Sequence, residues 1–441
     1  MKFCLIIVVI IFLQQCSFDN KSGIWKNEDL INTNENKIFD EFEKLYVLEE
    51  AFDKIISIDP KFKYILTEPQ KVNLWQDVYF NDQNNSKNFN FKDLNELVFK
   101  GKKLTKSKIN DHILFEENNI ITSDKKGNLI VFSINEKKIV TNFNFYKKKY
   151  KKIQKYLDLF VEKNIIYVSD NIGYLYAFDY IKKRVVWAKN YKIPFRGNLK
   201  LVGNKLIASN QNNDLYFFDK INGEILRLIP TEETIIKNNF KNNISLNKDT
   251  LFFLNTFGSL YSVNTNNFKI NWFININESI NLNSGNIFDG SQIINENDRI
   301  VLSSNNFTYL INSQLGSVIK KLNYSTSVKP LIIDDYLFTI TKQGFLIVLD
   351  VNSGKIIFSS DLNADIAEFL NIKKYSIQIK SINVLNSSIY IFLKNSYYLK
   401  YSLFGELEDI KKLPSKINSE PIFINESILY LDFKNRLSIV N

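Results

Sequence analysis

Sulfur and imidazole are nearly missing from this chain: its 441 residues hold two cysteines, one methionine and one histidine. Both cysteines, Cys4 and Cys16, stand at the N-terminal edge. That starves disulfide frameworks, thiolate metal sites and imidazole-based catalysis of the residues they need. No charge of one sign dominates either, since 57 basic residues face 47 acidic ones for a net +10. A surplus this mild gives a weakly basic surface and does not indicate nucleic acid. What abounds is aromatic and aliphatic: 36 Phe, 22 Tyr and 45% hydrophobic residues against 24% charged. Such a composition describes a globular chain with a large core and is far from a disordered one.

The N-terminus points to a compartment. Lys2 precedes an unbroken apolar run from Phe3 to Leu13. Eleven apolar residues are too few for a spanning helix, which needs about 20, and match the hydrophobic region of a secretory signal. Leu13-Gln14-Gln15-Cys16 resembles the lipobox of bacterial lipoproteins, whose cysteine becomes the first mature residue and carries the lipid through its thiol. Residues 1–15 then form the signal peptide, and Cys16 is the lipidation site. In that class an Asp after the cysteine marks inner-membrane retention, so Ser17 implies the periplasmic face of the outer membrane. Processing removes Cys4 and leaves no free thiol.

Residues 16–36 are polar and read as a flexible tether. Ile38, Phe42, Leu45, Leu48, Phe52 and Ile55 recur at steps of three and four, which predicts an amphipathic helix over residues 37–57, ended by Asp59-Pro60. Up to residue 93 the chain shows little periodicity and reads as an extended lead-in. From residue 94 onward, short Ile/Leu/Val/Phe/Tyr runs alternate with Asn, Gly, Lys and Asp.

Within that region one line recurs, most clearly over residues 165–179, which read IIYVSDNIGYLYAFD. Anchored on Gly173, it repeats at Gly127, Asn213, Gly258, Asn306, Gly344, Asn395 and Asn435, at steps of 38 to 51 residues. Gly and Asn are the residues that most readily take positive φ, as a tight hairpin turn demands. Six residues on stand Ser133, Asp179, Asp219, Asn264, Asn312, Asp350, Tyr401 and Asn441, all but one of them short polar side chains able to cap the next turn. Ten residues after the anchor Gly223, Gly316, Gly354 and Gly405 recur, and fourteen after it come Trp187, Trp272 and Phe358. Four strands per unit, eight times over, predict an all-β fold: an eight-bladed β-propeller of four-stranded antiparallel blades over residues 94–441. The eighth unit stops in its third strand, so the N-terminal stretch 95–100 is expected to supply the missing outer strand and close the ring. That makes one domain of a chain whose length alone would suggest about three.

The Gly-x-Leu-Tyr-Ala-Phe-Asp and Trp pattern of residues 173–187 resembles the PQQ-type propeller repeat. With eight units and a lipobox, the chain is similar to the BamB family of outer-membrane assembly lipoproteins. This resemblance implies a non-catalytic scaffold. It would bind the periplasmic domains of the β-barrel insertase (BamA-like) and assist unfolded outer-membrane protein clients, held to the membrane by its N-terminal lipid. It also implies partner contact through loops on one rim near the middle blades, here residues 275–292. Within that loop Leu282, Ile287, Phe288 and Asp289 are the candidate partner-binding residues; packing beneath the loop is the alternative for the apolar ones.

PQQ-type repeats also build quinoprotein dehydrogenases, which use an adjacent cysteine pair and a Glu/Asn/Asp calcium set. Here no such cysteine pair is encoded and no Asp-rich calcium loop stands out, so no cofactor and no metal are expected. Binding of another envelope ligand, such as a glycan, is the further alternative. His112 is expected at a strand edge or on the surface. The carboxylate pairs Glu49/Glu50, Glu116/Glu117 and Glu232/Glu233 are expected to be solvated. The basic run 147–155, six Lys in nine residues, reads as a solvated loop or as a contact for lipid phosphates or an acidic patch on a partner.

Overall fold

The turn after Asp170 shows how a blade begins. Oδ1 of Asp170 accepts hydrogen bonds from the backbone N–H groups of Ile172, Gly173 and Tyr174, each at 2.8 Å, and Gly173 takes φ +102°. Asp124, Asn210, Asn255 and Asp432 hold the equivalent turns of four other blades in the same way. Each such hairpin joins the second and third strands of a unit. Blade 2 is representative: Leu157–Glu162, Ile165–Asp170, Tyr174–Asp179 and Arg184–Asn190 pair antiparallel in that order.

The computed structural model describes residues 17–18, 25–26, 51–146, 150–233, 240–277, 288–373 and 376–441. Residues Phe52–Asn441 form one compact unit and hold the eight blades. Met1–Ala51 form another, in which Ser17–Phe18 pairs antiparallel with Trp25–Lys26. From blade 1 to blade 8 the innermost strands are Leu114–Glu116, Leu157–Glu162, Lys200–Val202, Asn243–Asn247, Ile294–Glu296, Leu331–Ile333, Ile379–Leu385 and Ile422–Ile424. The eighth blade takes its outer strand, Leu97–Lys103, from before the first blade; it pairs antiparallel with Arg436–Val440 and closes the ring. No helix among the described residues is long and apolar enough to cross a membrane.

Two devices recur at fixed places. A register shift falls between the third and outer strands in all eight blades, at Val131/Phe132 in the first, Lys400/Tyr401 in the seventh and Ile439/Val440 in the eighth. It adds local twist to each sheet. Between blades, the large ring of one covers the turn glycine of the next: Trp187 lies on Gly223, Trp272 on Gly316 and Phe358 on Gly405. Both indoles also donate across the seam, Trp187 Nε1 to the Lys220 carbonyl at 2.9 Å and Trp272 Nε1 to that of Ser313 at 3.1 Å. In blade 1, Thr141 occupies the same place and donates to the Tyr180 carbonyl at 2.9 Å.

Several expectations need correction. Six of the eight anchors have positive φ. In the seventh unit the turn residue is Ser396 (φ +75°) rather than Asn395, which agrees with the bulge there falling one residue later. Asn306 keeps its place in the repeat without positive φ. The helix over 37–57 lies mostly outside the described residues, and its last part is not α-helical. Ala51–Asp53 makes a single 3-10 turn, and Ile56 then exchanges both backbone bonds with Ser359, at 3.0 and 2.9 Å. An open outer strand edge in blade 6 takes these residues, and pairing outweighs their helical periodicity. The one α-helix among the described elements, Leu362–Phe369, follows the outer strand of blade 6 and is capped by Asp361.

The lead-in is the largest departure. Between Val72 and Phe89 it makes a full circuit of the channel interior, meeting the eight blades in ring order. Asn425 N–H of blade 8 donates to the Val72 carbonyl at 2.8 Å, and Trp75 exchanges both backbone bonds with Phe115 of blade 1. Val161 of blade 2 donates to Gln76, Leu246 of blade 4 to Asp82, and Asn295 of blade 5 to Gln83. For blade 3, Lys200 Nζ reaches Asp77 Oδ2 at 2.6 Å and the Asn81 carbonyl at 2.7 Å. In blade 6, Asn85 copies a strand neighbour: its Nδ2 donates to the Ile332 carbonyl at 2.8 Å while its Oδ1 accepts from Ile332 N–H at 2.9 Å. The circuit ends in blade 7, where Asn88–Phe89 pairs parallel with Val384 and Leu385. Inner strand edges that would otherwise face an open channel are thereby bonded to protein.

Candidate functional site

Each innermost strand starts at one end of the channel and ends at the other. The circuit occupies the far end, so the near end is a blind funnel of about 420 Å³ with Trp75, Val78, Tyr79 and Ser86 among its lining. Its walls are the residues that lead into the inner strands of blades 1, 5, 6 and 8 and, in blade 7, the inner strand itself with Lys394. His112, Gln292, Lys329 and Glu420 each stand two residues before the first residue of such a strand, so the repeat brings them to one mouth.

The funnel carries more cations than anions. Lys329, Lys380, Lys394 and His112 line it, against Asp111 and Glu420. His112 Nδ1 lies 3.6 Å from Glu420 Oε2, with the two side chains 31% and 43% exposed. Burial works against the imidazolium, but the Glu420 charge and hydrogen bond outweigh it and lift the His112 pKa above the ordinary histidine value. Burial likewise opposes the Glu420 carboxylate, and His112, Lys380 and Lys329 together hold its pKa below the usual range. Burial brings Lys329 down to about 8, despite the opposing pull of Glu420. Lys380 is lowered for the same first reason. Lys329 Nζ donates to the Asn84 carbonyl and Lys380 Nζ to the Asn418 carbonyl, both at 2.7 Å. Thr326 is buried in the wall, and its Oγ1 has no hydrogen-bond partner.

His112 is therefore a partly exposed residue of the funnel wall, two positions ahead of the inner strand of blade 1. The signal was present in the repeat register, because Glu420 occupies the same place in the eighth unit. Among the described residues no hydroxyl is bonded to its ring, so the pair does not set up a nucleophile. Glu116 also departs from expectation: it is buried and accepts from Asn164 N–H and Tyr180 Oη, each at 3.0 Å, which ties blade 1 to blade 2. Glu232 accepts from Tyr261 Oη at 2.6 Å and Ser259 Oγ at 2.9 Å. Lys155, at the end of the basic run, is buried beside the Tyr146 ring, whereas Lys151 and Lys152 are exposed.

Of the rim residues picked out by sequence, Leu282 and Ile287 lie outside the described residues, as does Cys16. Phe288 is 2% exposed and meets Phe240 edge-on at 5.1 Å, with Gly258 against its ring. It packs beneath the loop, as the apolar alternative held. Asp289 is open to solvent, with its backbone N–H bonded to Asn305 Oδ1 and its carboxylate 3.7 Å from Lys342. The loop thus has an apolar root and a charged, exposed shoulder on the same end of the ring as the funnel mouth.

A family profile described as outer membrane protein assembly factor BamB matches residues 159–360, which is blades 2 to 6. No curated protein matches the sequence. Among solved structures, BamB from Moraxella catarrhalis superposes with a TM-score of 0.61 at 11% identity, covering 78% of this chain and 99% of that one. The quinohemoprotein alcohol dehydrogenase from Comamonas testosteroni gives 0.61 at 8% identity, covering 84% and 81%. A computationally designed protein, Ika8, gives 0.57 at 10%, covering 77% and 99%. At such identities the structural likenesses establish the propeller fold and nothing about chemistry.

The dehydrogenase likeness raises the question of a quinone–calcium pair, and the residues present do not fit one. The chain's cysteines are Cys4 and Cys16 alone, so an adjacent pair is not encoded. Among the described residues, no three His, Cys, Asp or Glu side chains are grouped as metal ligands. Of the two funnel carboxylates, Glu420 is engaged by His112 and faces lysines, a setting that repels a cation.

Proposed function

Taking the chain as a BamB-like propeller of PQQ-type repeats, we propose that it is a non-catalytic scaffold of the outer-membrane β-barrel assembly machine. In this reading it is lipid-anchored through Cys16 at the periplasmic face, binds the insertase subunit and assists unfolded outer-membrane proteins. The observation that carries it is the match of blades 2 to 6 to the assembly-factor profile. The lipobox of residues 13–16 and the donor chemistry of the funnel, unsuited to a quinone and calcium, agree with it.

The contact we assign is the rim loop of residues 275–292. Leu282 and Ile287 are its apolar anchors and Asp289 its charged shoulder, while Phe288 fixes the root from inside. The test is a pull-down of the tagged, lipidated protein from solubilised outer membrane, with mass spectrometry of the bound proteins. Recovery of the insertase, lost when residues 278–287 are replaced by a Gly/Ser linker, is the expected result. If another envelope protein or none is recovered, the propeller stands and the assembly role falls.

A further inference from the structure

The blind funnel shares Gly290, Ser291 and Gln292 with the base of the rim loop, but the rest of its lining comes from other segments and serves no part of the proposed assembly contact. A cavity of about 420 Å³ lies in the size range of small-ligand pockets. Its chemistry is uneven in an informative way. Trp75, Val78, Val328 and Ile382 supply an apolar lining, and Lys329, Lys380 and Lys394 bring positive charge to the same space. An ammonium group has three N–H donors. Lys329 and Lys380 each spend one on a backbone carbonyl, Asn84 and Asn418 respectively, which fixes the head group and leaves two donors unused. The Lys394 ammonium has no hydrogen-bond or ion-pair partner among the described residues, while its backbone N–H donates to the Gln378 carbonyl at 2.9 Å.

The opposing carboxylates do not cancel this charge, because Asp111 and Glu420 are two against three lysines, and Glu420 is also shared with His112. A second observation is independent of the charges. Thr326 is only 7% exposed, lines the funnel, and leaves its Oγ1 unbonded. Buried hydroxyls are ordinarily satisfied, so an orphan in a cavity wall marks a place where a ligand atom or water completes the site.

We propose that the funnel binds a carboxylate carried on a compact apolar body, with the carboxylate among the lysines and Thr326 and the apolar part against Trp75 and Val78. Two sources share this chemistry: a free small carboxylate, and the C-terminal carboxylate of an extended polypeptide. The circuit of residues 72–89 gives the funnel its closed end, so the ligand enters and leaves by the mouth.

Isothermal titration of the full-length protein with three probes tests this: N-acetyl-Ala-Ala-Leu as the free acid, the same tripeptide as its amide, and N-acetyl-leucine. The free acid is expected to bind at least roughly tenfold more tightly than the amide, because charge-assisted bonds are lost on amidation. Lys380→Met and Lys394→Gln should each weaken the free acid several-fold, and Lys138→Gln, exposed on the outer strand of blade 1 and outside the funnel, should not. Lys394→Gln carries the test if Lys380→Met disturbs folding, since the one bond of Lys394 among the described residues is made by its backbone, which the substitution leaves in place. Tripeptide acid binding more tightly than N-acetyl-leucine assigns the site to chain ends, and equal affinity assigns it to small carboxylates. Equal binding of acid and amide, no measurable heat from any probe, or equal losses in the Lys138 control would overturn the proposal.

Discussion

The indole of Trp187 in blade 2 covers Gly223 of blade 3 so closely that a Cβ on that glycine would stand 2.6 Å from the ring. The contact holds two independent sheets in register, since Nε1 of the same ring donates to Lys220, three residues before the glycine. Gly223→Ala therefore meets two obstacles, a positive φ of +75° and the ring itself. Gly203 separates them, because it has φ +57° and nothing within 4 Å of its Cβ position. Gly203→Ala should cost about 1 kcal/mol, the backbone penalty alone, and Gly223→Ala clearly more. Trp187→Ala should cost about 3–5 kcal/mol, as other large-to-small core changes do. Urea unfolding of the three variants measures these differences, and equal losses for the two glycines would remove the ring from the account.

The circuit inside the channel makes a second prediction. Lys200 and Asp77 are 0% and 1% exposed and 2.6 Å apart, a fully buried ion pair between the lead-in and blade 3. Removing one partner strands the other charge in the interior. Lys200→Met should cost about 3–5 kcal/mol, and the double change Lys200→Met with Asp77→Leu should restore part of that loss. Asn85→Asp should also destabilise, because the donor to the Ile332 carbonyl disappears. Thermal unfolding followed by circular dichroism reads all three. If Lys200→Met matches wild type, the circuit contributes little to ring closure.

Much of the fold was legible because it repeats. Turn chemistry at Gly127, Gly173, Gly258 and Gly344, caps such as Asp179 and Asp350, and the rings of Trp187 and Trp272 each answer a local steric demand that returns in several blades. The circuit does not repeat. Asn84, Asn85 and Asn88 act by substituting side-chain amides for peptide groups on strand edges that the sequence assigns to other segments, and polar residues in a loop look alike whether they face water or strands. The site was hidden for a related reason. His112 and Glu420 are 308 positions apart in the chain, and only the equivalence of blades 1 and 8 around a closed ring brings them together. Phe288 shows the converse, an apolar residue in a polar stretch that is a root inside the core.

The His112–Glu420 pair gives stability a pH window. His112 has its pKa raised in the folded state, so its contribution is fully present below the unfolded histidine value near 6.5 and fades as pH rises through the folded value. Glu420 has its pKa lowered, so its contribution is present above the unfolded carboxyl value near 4.5 and fades as pH falls through the folded one. The pair therefore stabilises most between those limits. His112→Gln should lose about 0.5 kcal/mol near the middle of the window, small because both groups are partly exposed, and nothing in alkaline solution. Denaturation midpoints of wild type and variant across the pH range check this, and a constant gap would show that His112 acts through packing instead.

The rim loop sets a buried residue directly beside an exposed one that we propose meets the partner. Phe288 is buried against Phe240 and beside Gly258, so Phe288→Ser should lower stability by about 3–4 kcal/mol, in line with other buried-ring deletions. Asp289 stands in solvent with only a 3.7 Å ion contact to Lys342, and such exposed pairs contribute under about 1 kcal/mol. Asp289→Arg should accordingly leave the unfolding midpoint almost unchanged while weakening capture of the rim partner, since it reverses a charge at the interface edge. Lys342→Glu would reverse the facing charge and should act in the same binding assay without loss of fold. Partner capture that survives Asp289→Arg and Lys342→Glu but fails in Phe288→Ser would mean the loop matters only for folding, and the contact surface would then have to lie elsewhere on the ring.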